Sequence, residues 1–195
     1  MRLWTIQRIE AWRELRQSGL LRANRRYVEH DVLPAYQWMA QQMSLRLDSR
    51  PQVNSLPLWT WYQWEGKGRN KPDLRSAGHL PKHEHGVLID FEIDDRLVLL
   101  SDFEQWHYAL NYWYLPRSEA DGEAFERELS KRGLSFYETK PIRVRKIHHA
   151  IEKSWERIFQ LKHKNAKRTN NQSIQGTIWE LRVDMVRNIQ LFTAR

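Results

Sequence analysis

Apolar residues recur along this chain at two spacings, every second position in some stretches and every third or fourth in others. The first spacing marks strands, whose side chains alternate between two faces, and the second marks helices. Leu3 to Gln7 reads as a strand. Ile9, Trp12 and Leu15 follow at helical spacing, and Gly19 supplies the stop, because glycine takes the left-handed conformation that ends helices. Asp31 is the expected N-cap of a second helix with an apolar stripe of Tyr36, Met39, Ala40, Met43 and Leu47, closed off by Pro51 and Pro57.

Leu58 to Trp64 is the densest aromatic run. Alternation puts Trp59 and Trp61 on one face and Leu58, Thr60, Tyr62 and Trp64 on the other. Gly66 to Leu80 is a basic loop punctuated by Gly and Pro. Val87, Ile89, Phe91 and Ile93 alternate with Asp90 and Glu92, which predicts a half-buried strand. An Asp94-Asp95 turn and a second strand, Leu97 to Ser101, complete an expected hairpin.

Asp102 to Asn111 and Ser118 to Arg132 are predicted helices, the second with an acidic face and ended by Gly133. From Val144 the positions Ile147, Ile151, Trp155 and Ile158 form a helical stripe, with Lys146, His149, Lys153 and Arg157 opposite. Lys162 to Ser173 is polar and expected to be mobile. Thr177 to Leu181 and Arg187 to Phe192 read as two closing strands around a Val183-to-Val186 turn. The expected fold is α+β: one domain over residues 1–195, with a twisted, mostly antiparallel β-sheet, split or continuous, flanked by helices.

Composition narrows the function classes. Hydrophobic content of 41% and charge of 29% exclude a disordered chain. Ten Trp exceed ordinary usage, and many of them must be core. With no cysteine, disulfides and thiolate chemistry are excluded, which fits a reducing cytosol. The start of the chain lacks the apolar run of a signal peptide, and no stretch approaches membrane-spanning length, so cytoplasmic residence without a membrane partner is expected.

Charge adds a partner class. Lys140 to Arg168 holds ten Lys/Arg against two acids, an excess equal to the whole net charge of +8. Positive charge gathered in one segment attracts a polyanion. Lys146, His149, Lys153, Arg157, Lys162, Lys164, Lys167 and Arg168 are the candidate nucleic-acid-binding residues, for RNA or single-stranded DNA if aromatics lie near them. A solvated charged face is the plainer alternative.

Other constellations read as structure first. Ser101 three residues before Glu104 is a capping-box signature. His107, one turn into that helix, is expected to be buried and hydrogen-bonded. His79, His83, Glu84 and His85 match no zinc template, so no metal site is assigned. Lys71-Pro72-Asp73-Leu74-Arg75 either aims a guanidinium at phosphate or forms a turn with an internal Asp73–Arg75 pair. Glu180 either faces a cleft or is turned outward by alternation, while Trp179 and Leu181 face the core.

Several motifs together resemble a bacterial family defined only as a domain of unknown function. They include Leu3-Trp4-Thr5-Ile6-Gln7, Trp59-Thr60-Trp61-Tyr62, Lys71-Pro72-Asp73-Leu74-Arg75, Leu99-Leu100-Ser101-Asp102-Phe103 and Trp179-Glu180-Leu181. In layout, the opening strand, helix and Gly19-Leu20-Leu21, with the closing strands, resemble compact ADP-ribosyltransferase toxins that modify nucleic acid. The His found on the first strand in one branch of those enzymes is missing, as is a clear Ser-Thr-Ser strand. The resemblance implies NAD in a cleft of a split sheet lined by Thr5, Gln7, Trp59, Trp61 and Arg75, with Glu180 as the catalytic acid. It also implies a toxin of a defence or toxin–antitoxin pair, with an antitoxin protein as partner. The alternative is a non-catalytic RNA- or single-stranded-DNA-binding module that uses the basic helix and the aromatic strand.

Overall fold

The computed structural model describes residues 1–47, 51–52, 54–65, 71–135, 140–161 and 172–195, and in it the first strand, β1 (Arg2–Arg8), is paired along both edges. β3 (Leu58–Gln63) runs antiparallel on one side, with Trp4 opposite Trp61. β4 (His85–Glu92) runs antiparallel on the other, from Arg2 opposite Glu92 to Arg8 opposite Gly86. β6 (Ile174–Ile178) continues the sheet beyond β3, β5 (Leu99–Asp102) beyond β6, and β8 (Val186–Thr193) beyond β4. The order is β5-β6-β3-β1-β4-β8. A separate antiparallel pair, β2 (Leu20–Arg22) with β7 (Glu180–Arg182), makes a second sheet. The fold is α+β with a split, mostly antiparallel sheet and, among the described residues, five helices.

The described chain divides into two compact units, residues 1–101 with 162–195 and residues 102–161. In the first, α1 (Ile9–Ser18) ends at Gly19, whose φ of 76° is left-handed and whose N–H closes on the Leu15 carbonyl at 2.9 Å. Leu15, Leu3, Leu58, Val87, Ile89 and Phe91 are core residues of this unit. Each such side chain contributes about 1.5–3 kcal/mol by leaving water. α2 (Leu33–Arg46) buries Ala35, Trp38, Met39, Ala40 and Met43.

Several expectations are corrected in this unit. The cap of α2 is Val32 and not Asp31; Pro34 in the first turn, with its φ already helical, marks the start. β4 is buried on both faces and not on one, since every position from Gly86 to Phe91, odd and even alike, lies inside. Its Asp90 tolerates burial because Arg2 grips both carboxylate oxygens, at 2.8 and 2.5 Å. The β4–β5 hairpin does not form, since β5 lies at the far edge beside β6. Thr177 to Leu181 is not one strand: it breaks at Trp179 and feeds two different sheets. A register shift between Trp61 and Gln63 ends the alternation of β3, and Trp64 packs edge-on against Trp61, 4.5 Å between ring centroids. The 66–70 part of the expected basic loop lies outside the described residues.

The second unit contains α3 (Phe103–Leu110), α4 (Glu119–Lys131) and α5 (Arg145–Trp155). The cap of α3 is Asp102 and not Ser101: its carboxylate accepts from the Gln105 N–H at 2.9 Å, and the Ser101 hydroxyl is buried. Ser118 caps α4. Ile147, Ile151, Trp155 and Ile158 are buried, as their spacing requires. The Trp155 indole donates to the Trp113 carbonyl at 2.6 Å, and the Ser154 hydroxyl accepts from the Leu115 N–H at 2.8 Å, which ties the 113–115 segment to α5. Among the described residues, no helix is long and apolar enough to cross a membrane.

Candidate functional site

A cleft of about 370 Å³ opens in the first unit, bordered by β1, α1, β2, β3 and the segment after β2. Its aromatic walls are Trp59, Trp61, Tyr27 and Tyr36. Tyr36 stands edge-on to Trp59, 5.8 Å between centroids, and burial raises the pKa of its phenol above the usual range. Asn24 shapes the rim by accepting from the Arg26 N–H at 3.0 Å, which tightens a turn carrying Arg25, Arg26 and Tyr27. Tyr27 then lies between two guanidinium groups, Arg26 at 4.6 Å and Arg8 at 5.7 Å from its ring centre.

Three arginines line this cleft, and each has a carboxylate or phenol partner. Arg8 meets Glu84 at 2.9 Å, Arg22 meets Glu180 at 2.8 Å, and Arg26 donates to the Tyr27 hydroxyl at 2.6 Å. Guanidinium groups beside aromatic rings suit a nucleotide, whose base stacks on a ring and whose phosphates accept paired N–H donors.

Of the residues predicted for a cleft, Gln7, Trp59 and Trp61 line it, while Thr5, Arg75 and Glu180 do not. Thr5 is buried in the sheet, its hydroxyl donating to the Trp59 carbonyl at 2.8 Å and accepting from the Gln7 amide at 2.7 Å. It therefore positions Gln7 and β3. Arg75 folds back on Asp73, with bonds of 2.9 and 2.7 Å, which is the internal pair of the turn. Glu180 is half-exposed between buried Trp179 and Leu181, and one of its carboxylate oxygens takes both the Arg22 Nε and Nη2. It borders the cleft through Arg22. Trp59, Arg75 and Glu180 do not converge on one concavity.

The basic helix is less bare than its sequence. Lys146 lies 3.8 Å from Glu128 of α4, and Lys153 pairs with Glu156 at 2.8 Å. Arg157 is not on the solvent side with them: its guanidinium sits 5.6 Å from the centre of the Tyr114 ring, and its Nε and Nη2 are buried. His149 is exposed. Lys162, Lys164, Lys167 and Arg168 lie outside the described residues.

The histidines serve local structure. His79 bonds the Asp73 carbonyl at 2.9 Å, His85 meets the Thr193 hydroxyl at 3.3 Å, and His107, half-buried, meets the Phe103 carbonyl at 3.0 Å. Among the described residues, no group of three or more His, Asp or Glu could hold a metal ion.

The cleft residues that sequence reasoning missed are Arg8, Arg22, Arg26, Tyr27 and Tyr36. The signal was local: Arg22-Ala23-Asn24-Arg25-Arg26-Tyr27 packs three arginines and a tyrosine beyond Gly19-Leu20-Leu21. No curated protein and no solved structure matches the chain. A family model described as a domain of unknown function (DUF3841) matches residues 2–187, nearly the whole length, and the chain belongs to that family.

Proposed function

We propose that this protein is an ADP-ribosyltransferase-like enzyme that takes NAD into the first unit's cleft and modifies a nucleic-acid strand. The observation that carries this reading is the split sheet itself: the cleft is bordered by β2 of the small sheet and by β1 and β3 of the large one, with aromatic rings and arginines lining it. In this reading the rings of Trp59, Trp61 and Tyr36 hold planar parts of the dinucleotide, and Arg22 binds its phosphates. Binding then exchanges one anion for another on Arg22, which releases the Glu180 carboxylate. The freed carboxylate accepts a hydrogen bond from the ribose and steadies the positive charge that develops there as the bond to nicotinamide breaks. A nucleophilic atom of the acceptor strand forms the new bond to that ribose carbon and loses its proton.

The test is nicotinamide release by the full chain given NAD with RNA or single-stranded DNA. Release is expected, and Glu180→Gln is expected to abolish it while NAD still binds. Trp59→Ala is expected to weaken NAD binding by about tenfold or more, the scale of one lost stacking contact. No release with either nucleic acid would sink the reading.

The Arg22–Glu180 pair favours a second reading, a module that binds RNA or single-stranded DNA without turnover, because an engaged carboxylate is no catalyst. Salt separates this module from a neutral-ligand site: affinity falls with added salt in proportion to the phosphates contacted. Because Lys146 and Lys153 already face carboxylates, replacing both with Ala is expected to change that slope little.

A further inference from the structure

Three arginines and a tyrosine fall within the six residues Arg22 to Tyr27, and the segment borders the cleft of the first unit. Two local bonds fix its shape. The Asn24 side chain accepts from the Arg26 N–H at 3.0 Å, and the Arg25 Nη1 donates to the Val28 carbonyl at 2.8 Å. The resulting turn, Arg25–Tyr27, holds Tyr27 out in water. At 56% exposure it is the single exposed Phe, Trp or Tyr among the described residues. A large ring left out of the core of a Trp-rich protein points to a contact made with something else.

The charges beside that ring are also uncommitted. Arg25 and Arg26 donate to neutral acceptors, the Val28 carbonyl and the Tyr27 hydroxyl, and among the described residues no carboxylate pairs with either. Asp31, shortly after the turn, meets His30 instead, at 3.9 Å. The Arg26 and Arg8 guanidinium groups lie 4.6 and 5.7 Å from the centre of the Tyr27 ring, which gathers flat cationic and aromatic groups at the rim of the cleft. Unpaired bases stack on both kinds of surface. Glu10 and Glu14 of α1 also line the cleft, so repulsion keeps a polyanion off that helix and leaves the turn as its approach. The second unit has a larger cavity, about 570 Å³ and walled by Tyr108, Tyr112, Trp113 and Tyr114, but its described lining contains no arginine.

We propose that the Arg25–Tyr27 turn seats the acceptor strand: phosphates of a single-stranded nucleic acid rest on Arg25 and Arg26, and an unpaired base stacks on the Arg26–Tyr27 pair beside the cleft. Paired guanidinium donors suit phosphate oxygens, and neither arginine has to give up an ion pair to take one. The proposal rests on the cleft reading, which gives the strand its reason to lie there, but strand binding can be measured without turnover.

The test follows fluorescence anisotropy of labelled oligo(U) and oligo(dT) with the full chain, in the absence of NAD and over a series of salt concentrations. Saturable binding that weakens with salt is expected. Arg25→Gln is expected to lower affinity about tenfold and to flatten the log–log salt slope by about 0.7, the value for one phosphate of a single strand. Arg25→Lys, which keeps the charge, is expected to retain the slope. Tyr27→Leu is expected to lower affinity about tenfold with the slope unchanged, because a lost base contact releases no counter-ion. No saturable binding, a slope unmoved in Arg25→Gln, or unchanged affinity in Tyr27→Leu would each overturn the proposal. Failure of the cleft reading would show separately, as absent nicotinamide release alongside oligonucleotide binding that still responds to these substitutions.

Discussion

The cleft of the first unit and the cavity of the second are both walled by aromatic rings, but they treat charge differently. In the cleft, Arg8 and Arg22 each face a carboxylate from another strand or loop, so a ligand anion must replace a partner already present. In the cavity, Lys140 donates to the Asn111 backbone carbonyl at 2.9 Å.

The largest effect that would break this comparison is loss of the cavity's frame. Trp155→Ala removes a fully buried ring and its bond to the Trp113 carbonyl. A cost of about 3–5 kcal/mol is expected, read from hydrogen exchange of the α5 amides. In the first unit, Gly176→Ala places a Cβ 2.7 Å from the Thr60 hydroxyl and 3.0 Å from Val98. That overpacking is expected to cost about 1–3 kcal/mol in denaturant unfolding, and Thr60→Ala in the same chain should return part of it.

Smaller effects sharpen the electrostatic side. A double-mutant cycle of Arg22→Ala and Glu180→Gln is expected to show a coupling of about 0.2–1 kcal/mol that fades in high salt, because both side chains are partly exposed. A coupling well above that would make the pair a structural clamp and not an exchangeable contact.

The two units should also answer to opposite ends of the pH scale. Burial raises the Tyr112 phenol from 10.0 to about 12, so the folded state holds a proton that the unfolded chain releases earlier. Its contribution is complete below pH 10 and lost as pH rises toward 12, which absorbance of the phenolate would follow. Bonds from the Arg96 side chain and N–H lower Asp94 from 3.8 to about 2. That contribution is complete above pH 3.8 and lost as pH falls toward 2. A carboxyl titration by NMR should return most of the way to 3.8 in Arg96→Ala.

Much of the local structure could be read in the sequence because its causes are local. Gly19 ends α1 by a backbone property of its own, and the stripe of Ile147, Ile151 and Trp155 specifies one buried face of α5 whatever it packs against. Pairing between strands was less accessible. Alternation in β4 shows that Val87 and Ile89 share a face, but not that β8, a hundred residues later, covers its second edge. The α3 cap was missed by one position because Ser101 and Asp102 both carry suitable oxygens, and strand pairing decides which is free to turn inward. At the cleft, Gln7, Trp59 and Trp61, named through the layout resemblance, do line one concavity. The arginines were passed over because a short segment between predicted elements reads as a connection.

The strand order has a consequence for how the chain reaches its folded form. β1 sits mid-sheet, and two strands of the large sheet, β6 and β8, come from residues 174–193. β3 and β4 therefore keep an unpaired edge until residues 174–193 join them, whereas residues 102–161 are contiguous and close through short-range contacts. The Arg22–Glu180 pair thus joins residues far apart in sequence and is complete only once β7 has paired with β2.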